Sequence, residues 1–269
     1  FHSLFGVDYM VAMLVSALGI VSLLIQVFWK TDKVPLAPGH SDHPAAPSLR
    51  EIVAVLRFKH LWVIIGFVIF SWTFYNLYDN QMFPNFYRAL FANEDDGLHT
   101  YGILNSVQVF LEGFCMMLVP ILMRKVGVRN ILLMGVTVMC LRILGSAIFL
   151  DPVIVSIIKM FHAIEVPLFV LGIFRYLTLH FPSALSATLY MVGFEIAAQL
   201  GSALFSTPFG YIRDALGFQP TFMVIAGVVA CAGVWAFFAL KKDDQDVQGD
   251  PFIRDGQSGV TGLVKTVAK

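Results

Sequence analysis

The sequence predicts an all-α membrane protein, and three observations carry this prediction. Of the 269 residues, 58% are hydrophobic and only 13% are charged, about half the charged share of a typical soluble domain. The mean hydropathy is +0.77. Apolar runs of about 20 residues, enough to cross a bilayer core as a helix, recur along the chain. Helices are favoured because lipid cannot satisfy exposed backbone groups.

Seven stretches have the length and composition of spanning helices, and in chain order they are about 8–29, 61–83, 102–123, 130–150, 152–178, 184–208 and 219–240. Together the last six form a predicted transmembrane domain at 61–240. The segment 30–60 is polar and rich in Pro, His and Ala, which predicts a linker. The stretch 241–269 has several Asp residues with scattered Gly, and this predicts a solvated, disordered tail.

The start of the chain, its net charge and its cysteines narrow the possible kinds of protein. The chain begins at Phe1 without an initiator Met and without the charged start of a signal peptide, so we expect it to be part of a longer protein. The net charge is zero, which gives no indication of a nucleic-acid partner. The three cysteines lie in apolar runs and have neither metal-ligand nor disulfide spacing.

The distribution of Lys and Arg predicts the orientation, because cytoplasmic loops are enriched in both. One set of loops, which includes the linker and the tail, contains many basic residues, namely Lys30, Lys33, Arg50, Arg57, Lys59, Arg124, Lys125, Arg129, Arg175, Lys241 and Lys242. The opposite loops carry Arg88 and Arg213 beside several acidic residues. We therefore expect the linker and the tail to be cytoplasmic, with Phe1 on the outer side.

Seven ionisable residues lie within the predicted spans, and they are Asp79, Glu112, Arg142, Lys159, His162, Glu165 and Glu195. Each costs at least about 3 kcal/mol at mid-bilayer, so each is a functional candidate. Lys159, His162 and Glu165 are three residues apart, which places them on one side of a helix. The signs of the charges suggest two pairs, Asp79 with Lys159 and Arg142 with Glu165.

These charges have two interpretations, static ionic contacts between helices or a proton relay in a polar cavity. A cluster across three spans, with a His and a Glu one turn apart, favours the relay. His162 and Glu165 form an HxxE pattern that lacks the second His of a zinc helix, so we expect no metal. The sequence has no phosphate-binding Gly-rich loop and no defensible nucleophile and base, so we expect neither a cofactor nor an enzyme.

Several motifs resemble the oligosaccharide:proton symporters of the major facilitator superfamily, which include the lactose, raffinose and sucrose permeases. The matching stretches are FYNLYDNQMFPNFY (74–87), RKVGVRN (124–130), LRILGSA (141–147), IIKMFHAIEVP (157–167), LSATLY (185–190) and STPFGYIRDALGFQP (206–220). Within the family, FYNLYDNQMFP and LNSVQVFLE look closest to the sucrose permeases. The resemblance implies twelve helices in two halves, with sugar bound between the halves near mid-membrane.

By this resemblance, residues 1–29 hold the last helix of the N-terminal half and 61–240 hold the six-helix C-terminal half. The first five helices, which carry the family's main sugar contacts, would then be a required partner outside this chain. The implied activity is uptake of a disaccharide with H⁺ across a bacterial inner membrane, with sucrose favoured. Lactose, melibiose or raffinose remain alternatives, as does a non-transporting membrane subunit whose charges only fix helix packing.

The resemblance also assigns roles to individual residues. Glu165 is implied to carry the proton, Arg142 to tune it, and His162 to link sugar binding to protonation. Asp79 and Lys159 are implied to form an interhelical charge pair. Asn105 matches a polar residue of the sugar cavity. Glu195 matches no charge of the family, and it either lines the cavity near Gln199 or hydrogen-bonds within a helix pair.

Three departures from the lactose-type pattern favour a sucrose-type site. Asn76 and Ala198 stand where that pattern has an Asp and a Lys, and their joint absence avoids an unpaired buried charge. Val109 replaces a sugar-contacting Glu, while Glu112 lies nearly one turn further along the same helix. We expect Glu112 to accept sugar hydroxyls instead, aided by Gln108.

Overall fold

The structure is a computed structural model that describes residues 7–28, 59–181 and 186–243, and the chain divides into two compact units, 1–44 and 45–269. In the first unit, α1 extends over Val7–Phe28. Its side chains at 13–25 are exposed, and residues Met13–Ile25 form an apolar helix. The predicted helix at 8–29 is therefore present. The predicted linker lies almost entirely outside the described residues.

Among the described residues of the second unit, six helices are long and apolar enough to cross a membrane, and they are α2 (Lys59–Arg88), α3 (Glu94–Val126), α4 (Val128–Ile148), α5 (Pro152–His180), α6 (Thr188–Leu216) and α7 (Phe218–Ala239). The prediction of an all-α membrane fold is confirmed. In this unit α4 packs against α5 and α7, α3 packs against α5, and α2 packs against α6 and α7. The core therefore lies around α2, α4 and α5.

Polar caps explain why α3 is longer than its predicted span. Its N-cap Asn93 accepts a hydrogen bond from the backbone N–H of Asp95 at 3.1 Å. The first turn carries three acidic residues, which suit the positive end of the helix dipole. These polar residues were left out of the predicted span because they do not suit a bilayer core. They nevertheless stabilise the start of the helix, which therefore extends beyond the core.

The sharp turn between α3 and α4 is stabilised by Asp243, a residue that follows α7. Gly127 joins the two helices with φ of 88°, a conformation that favours glycine. The Asp243 carboxylate accepts hydrogen bonds from the backbone N–H groups of Val128 (2.5 Å) and Arg129 (3.0 Å), at the N-terminus of α4. Asp243, which lies in the predicted tail, is therefore held at this turn, and the tail beyond it lies outside the described residues.

Three helices depart from regular α-helical geometry in their middle. In α2, π-helical turns occur at Ile69–Thr73 and Leu77–Met82, and α6 has another at Met191–Ile196. In α5, the helix is interrupted at Phe161, which lies between two helical segments. Such irregular turns often accompany functional sites because they change the direction of side chains. The apolar pattern of the sequence did not predict them.

Glycine allows α2 and α6 to approach closely. A Cβ atom added at Gly201 of α6 would lie 2.6 Å from the Thr73 hydroxyl oxygen and 3.0 Å from its methyl carbon. Thr73 donates a hydrogen bond to the Ala198 carbonyl at 3.3 Å, so its side chain is held at this contact. The contact therefore leaves no room for a larger residue at 201.

We expect Gly201→Val to lower the free energy of unfolding by about 1–3 kcal/mol, because the added side chain overpacks the α2–α6 contact. The measurement is thermal unfolding of the purified chain in detergent. Gly210→Val is the matched control, since a Cβ at that position in the same helix would meet no atom within 4 Å. Equal melting temperatures for the two variants would contradict the importance of this contact.

Candidate functional site

Four of the charged residues predicted within the membrane are brought together in the interior of the second unit. Asp79 comes from α2, Arg142 from α4, and Lys159 and Glu165 from the two segments of α5. All four are buried, and Glu165 is 0% exposed. Two positive groups thus face two carboxylates, which balances the formal charge of the cluster.

Arg142 lies at the centre of this cluster. Its guanidinium donates hydrogen bonds to the carboxylates of both Asp79 and Glu165. It also donates to the Tyr75 hydroxyl at 2.6 Å, and the Tyr78 ring centroid lies 5.2 Å from its central carbon. A planar guanidinium with five N–H donors can serve several acceptors at once. Arg142 therefore joins α4 to both α2 and α5.

Lys159 contacts the same oxygen of the Asp79 carboxylate as Arg142 does. Its ammonium lies 3.1 Å from Asp79 Oδ1, and the ring centroids of Phe83 and Tyr101 lie 5.4 and 5.7 Å away. Aromatic faces attract a cation, so these rings add to its stabilisation. Asp79 consequently forms ion pairs with two cations, whereas the signs of the charges in the sequence suggested Lys159 alone.

Tyr75 completes the cluster, and the sequence analysis did not single it out. Its hydroxyl donates a hydrogen bond to Glu165 Oε1 at 2.5 Å and lies 2.5 Å from His162 Nδ1. The imidazole Nδ1 also lies 3.1 Å from Arg142 Nη1. The available signal was the spacing of Tyr75 and Asp79, because residues four apart share a helix face.

A second group of residues from α3 extends the cluster toward the exposed side. Gln108 is buried and donates a hydrogen bond from Nε2 to Glu112 Oε2 at 3.2 Å. Within the described part of the chain, Gln108 Oε1 is buried without a hydrogen-bond partner. Glu112 Oε2 lies 4.0 Å from His162 Nε2, and the two side chains are 16% and 15% exposed. These groups offer both acceptors and donors at the rim of the cluster.

Three other polar candidates are not brought into contact with the cluster. Asn76 is half-buried and accepts a hydrogen bond from Asn80 at 3.3 Å. Asn105 is also half-buried, and among the residues that the structure describes no hydrogen bond or ion pair joins Asn76 or Asn105 to the charged groups. Glu195 accepts a hydrogen bond from the Tyr190 hydroxyl of the same helix.

The arrangement allows one carboxylate to change its charge without stranding the arginine. Glu165 Oε1 is shared by Arg142 and Tyr75, whereas Oε2 is buried without a partner in the described residues. Protonation of Glu165 would weaken its pairing with Arg142. Asp79 would still contact the guanidinium, but Arg142 and Lys159 would then share one carboxylate, so the cluster would carry one excess positive charge.

We expect Asp79→Asn to destabilise the protein by about 3–5 kcal/mol, because the change leaves two buried cations with one carboxylate. The double variant Asp79→Asn/Lys159→Met should recover much of this loss, since it restores the balance of Arg142 with Glu165. Thermal unfolding in detergent measures both effects. Neutralising the exposed Arg213–Asp214 pair is the control, and its effect should stay within about 1 kcal/mol. A double variant no more stable than Asp79→Asn would contradict the charge-balance argument.

Comparison with known proteins bears on this site. The LacY proton/sugar symporter family matches residues 3–250. Sucrose permease of Escherichia coli is 44% identical over 202 residues, which are 75% of this chain and 49% of that protein. Raffinose permease of Escherichia coli is 32% identical over 195 residues (72% and 46%), and lactose permease of Klebsiella oxytoca is 30% identical over 194 residues (72% and 46%).

The chain spans about half the length of the curated relatives it matches. The family match covers α1, all six helices of the second unit and every residue of the charge cluster. The resemblance that the motifs indicated is therefore confirmed. This chain belongs to the LacY proton/sugar symporter family.

Proposed function

We propose that this chain acts as the C-terminal part of a permease that takes up a disaccharide together with H⁺. The observation that carries the proposal is the burial of Glu165, whose carboxylate is shared by Arg142 and Tyr75 in a charge-balanced cluster. A buried carboxyl with an alternative partner for its arginine suits reversible protonation. Membership of a family of proton/sugar symporters supports the same reading.

A continuous series of contacts leads from the rim of the cluster to the proposed proton site. Glu112 lies 4.0 Å from His162, His162 lies 2.5 Å from the Tyr75 hydroxyl, and that hydroxyl donates to Glu165 at 2.5 Å. A sugar hydroxyl that binds Glu112 and His162 would change the hydrogen bonding of the imidazole. The change would pass through Tyr75 to Glu165, which links sugar occupancy to protonation.

The substrate that we propose is sucrose. Glu112 and the Gln108 side-chain oxygen, which has no hydrogen-bond partner among the described residues, would supply acceptors for sugar hydroxyls, and Glu112 lies 4.0 Å from His162. Sucrose permease of Escherichia coli is 44% identical, compared with 32% for raffinose permease of the same organism. We also propose that Asn76 and Asn105 contact the sugar, although no hydrogen bond or ion pair joins either of them to the charge cluster in the described residues.

The proposed cycle requires the N-terminal helices of the same protein and a bacterial inner membrane. The basic loops favour an orientation with the C-terminus in the cytoplasm, and we include that orientation in the proposal. Alternating access would result from rocking of the two halves around the site. Each proton that enters down a potential of 100 mV supplies about 2.3 kcal/mol for accumulation.

The first experiment is uptake of radiolabelled sucrose by cells that express the chain together with the N-terminal helices of its protein. We expect sucrose entry with simultaneous alkalinisation of an unbuffered suspension, since each sugar would carry a proton. Competition by unlabelled lactose, melibiose and raffinose tests the other sugars. Entry without alkalinisation would remove the proton role. Absence of entry for every sugar would favour a subunit whose charges serve only helix packing.

We expect Glu165→Gln to abolish sucrose accumulation against a gradient while sugar exchange across the membrane continues, because the amide cannot release a proton. Counterflow and uphill uptake, measured on the same cells, separate the two activities. Glu94→Gln is the matched control, since Glu94 forms an exposed ion pair with Arg88 outside the cluster. Uphill accumulation by Glu165→Gln would show that Glu165 is not the coupling residue.

A further inference from the structure

An apolar groove runs along the outer surface of the second unit between α2 and α7. Its volume is about 670 Å³, and its walls include Trp62, Gly66 and Phe70 from α2 with Gly227 and Trp235 from α7. A Cβ at Gly66 would lie 3.4 Å from the Trp235 ring, and a Cβ at Gly227 would meet no atom within 4 Å. The two glycines leave space for an occupant because they have no side chains. Trp62 and Trp235 lie at one end of the groove.

The dimensions of the groove suit a single acyl chain. Trp62 and Phe70 are separated by about 12 Å along the helix axis, which is most of the roughly 15 Å depth of one leaflet's hydrocarbon. Trp62 is 58% exposed and Trp235 is 43% exposed. Tryptophan favours the depth of the lipid head groups. The tryptophan end of the groove is therefore the end nearest the membrane surface.

Two lysines lie on the chain segments at this end. Lys59 lies one turn before Trp62, and Lys242 follows the end of α7. The Tyr176 hydroxyl accepts a hydrogen bond from the backbone N–H of Lys241 at 2.7 Å and lies 2.8 Å from His60 Nε2. This shared contact brings the start of α2 and the segment after α7 together. The side chains of Lys59 and Lys242 are both exposed.

Asp243, which follows Lys242 in the chain, has its own hydrogen-bond partners. Its carboxylate accepts hydrogen bonds from the backbone N–H groups of Val128 and Arg129. The basic charge at the mouth of the groove is therefore available to an anion at head-group depth. Basic pockets between helices on the cytoplasmic side are typical sites for anionic lipid head groups.

We propose that the groove binds an anionic phospholipid, with one acyl chain along Gly66 and Gly227 and the phosphate between Lys59 and Lys242. The apolar walls select a hydrocarbon chain, and the two lysines select a negative head group. The groove lies outside the charge cluster, and the lipid proposal does not rest on the proposed sugar transport.

The test is a native mass spectrometry titration of the full chain, purified in a neutral detergent, with phosphatidylglycerol and phosphatidylcholine of identical acyl chains. We expect phosphatidylglycerol to bind more tightly. Lys59→Gln and Lys242→Gln should each weaken its binding roughly fivefold and leave phosphatidylcholine unchanged. Lys125→Gln is the matched control, since this exposed lysine lies at the end of α3. Equal binding of the two lipids, or equal effects of all three lysine variants, would overturn the proposal.

A second variant tests the groove itself. Gly227→Leu would place a side chain into open space inside the groove, so it should preserve folding while displacing the acyl chain. We expect it to reduce phosphatidylglycerol binding at least tenfold. Gly210→Leu, which also enters open space but on α6, should leave binding unchanged. Unchanged phosphatidylglycerol binding by Gly227→Leu would overturn the site. A dimer of the chain that is seen in the same spectra and lost in Gly227→Leu would also overturn it, because a second copy of the chain would then occupy the groove.

Discussion

The buried guanidinium of Arg142 is the constraint on which the rest of the second unit depends. Removal of an ion from water costs several kcal/mol even after relaxation, and the cost is offset only by well-placed opposite charges and hydrogen bonds. Arg142 obtains these from Asp79 and Tyr75 of α2 and from Glu165 of α5. Because one planar group must reach all three, α2, α4 and α5 have little freedom to shift relative to one another.

The same constraint explains why the cluster can serve a chemical cycle rather than only hold helices together. A simple ion pair would strand its arginine when the carboxylate becomes protonated. Here Asp79 is a second anion for Arg142 and also holds Lys159 at 3.1 Å. Protonation of Glu165 would leave the cluster with an excess positive charge. In the proposed cycle that charge would attract electron-rich groups at the rim, where Glu112 and a sugar would lie.

The sequence was sufficient to predict the helices and the charged residues, because both signals are local. Apolar length identifies a span, and an ionisable residue within it stands out against lipid. The sign of the charges also suggested contacts of Asp79 with Lys159 and of Arg142 with Glu165, which the structure shows. Tyr75 and the second partner of Arg142 depend on how three helices meet. A tyrosine in an aromatic-rich span carries no charge that would single it out.

Helix α2 contributes residues to both the charge cluster and the apolar groove. Trp62, Gly66 and Phe70 line the groove, whereas Tyr75 and Asp79 point into the cluster, with π-helical turns at Ile69–Thr73 and Leu77–Met82. Those turns change the direction in which the helix presents its side chains. An occupant of the groove would restrain the first part of α2 and so the segment that positions Tyr75. The proposed lipid and the proposed proton site would then act on the same helix, and coupling between two sites requires such a shared element.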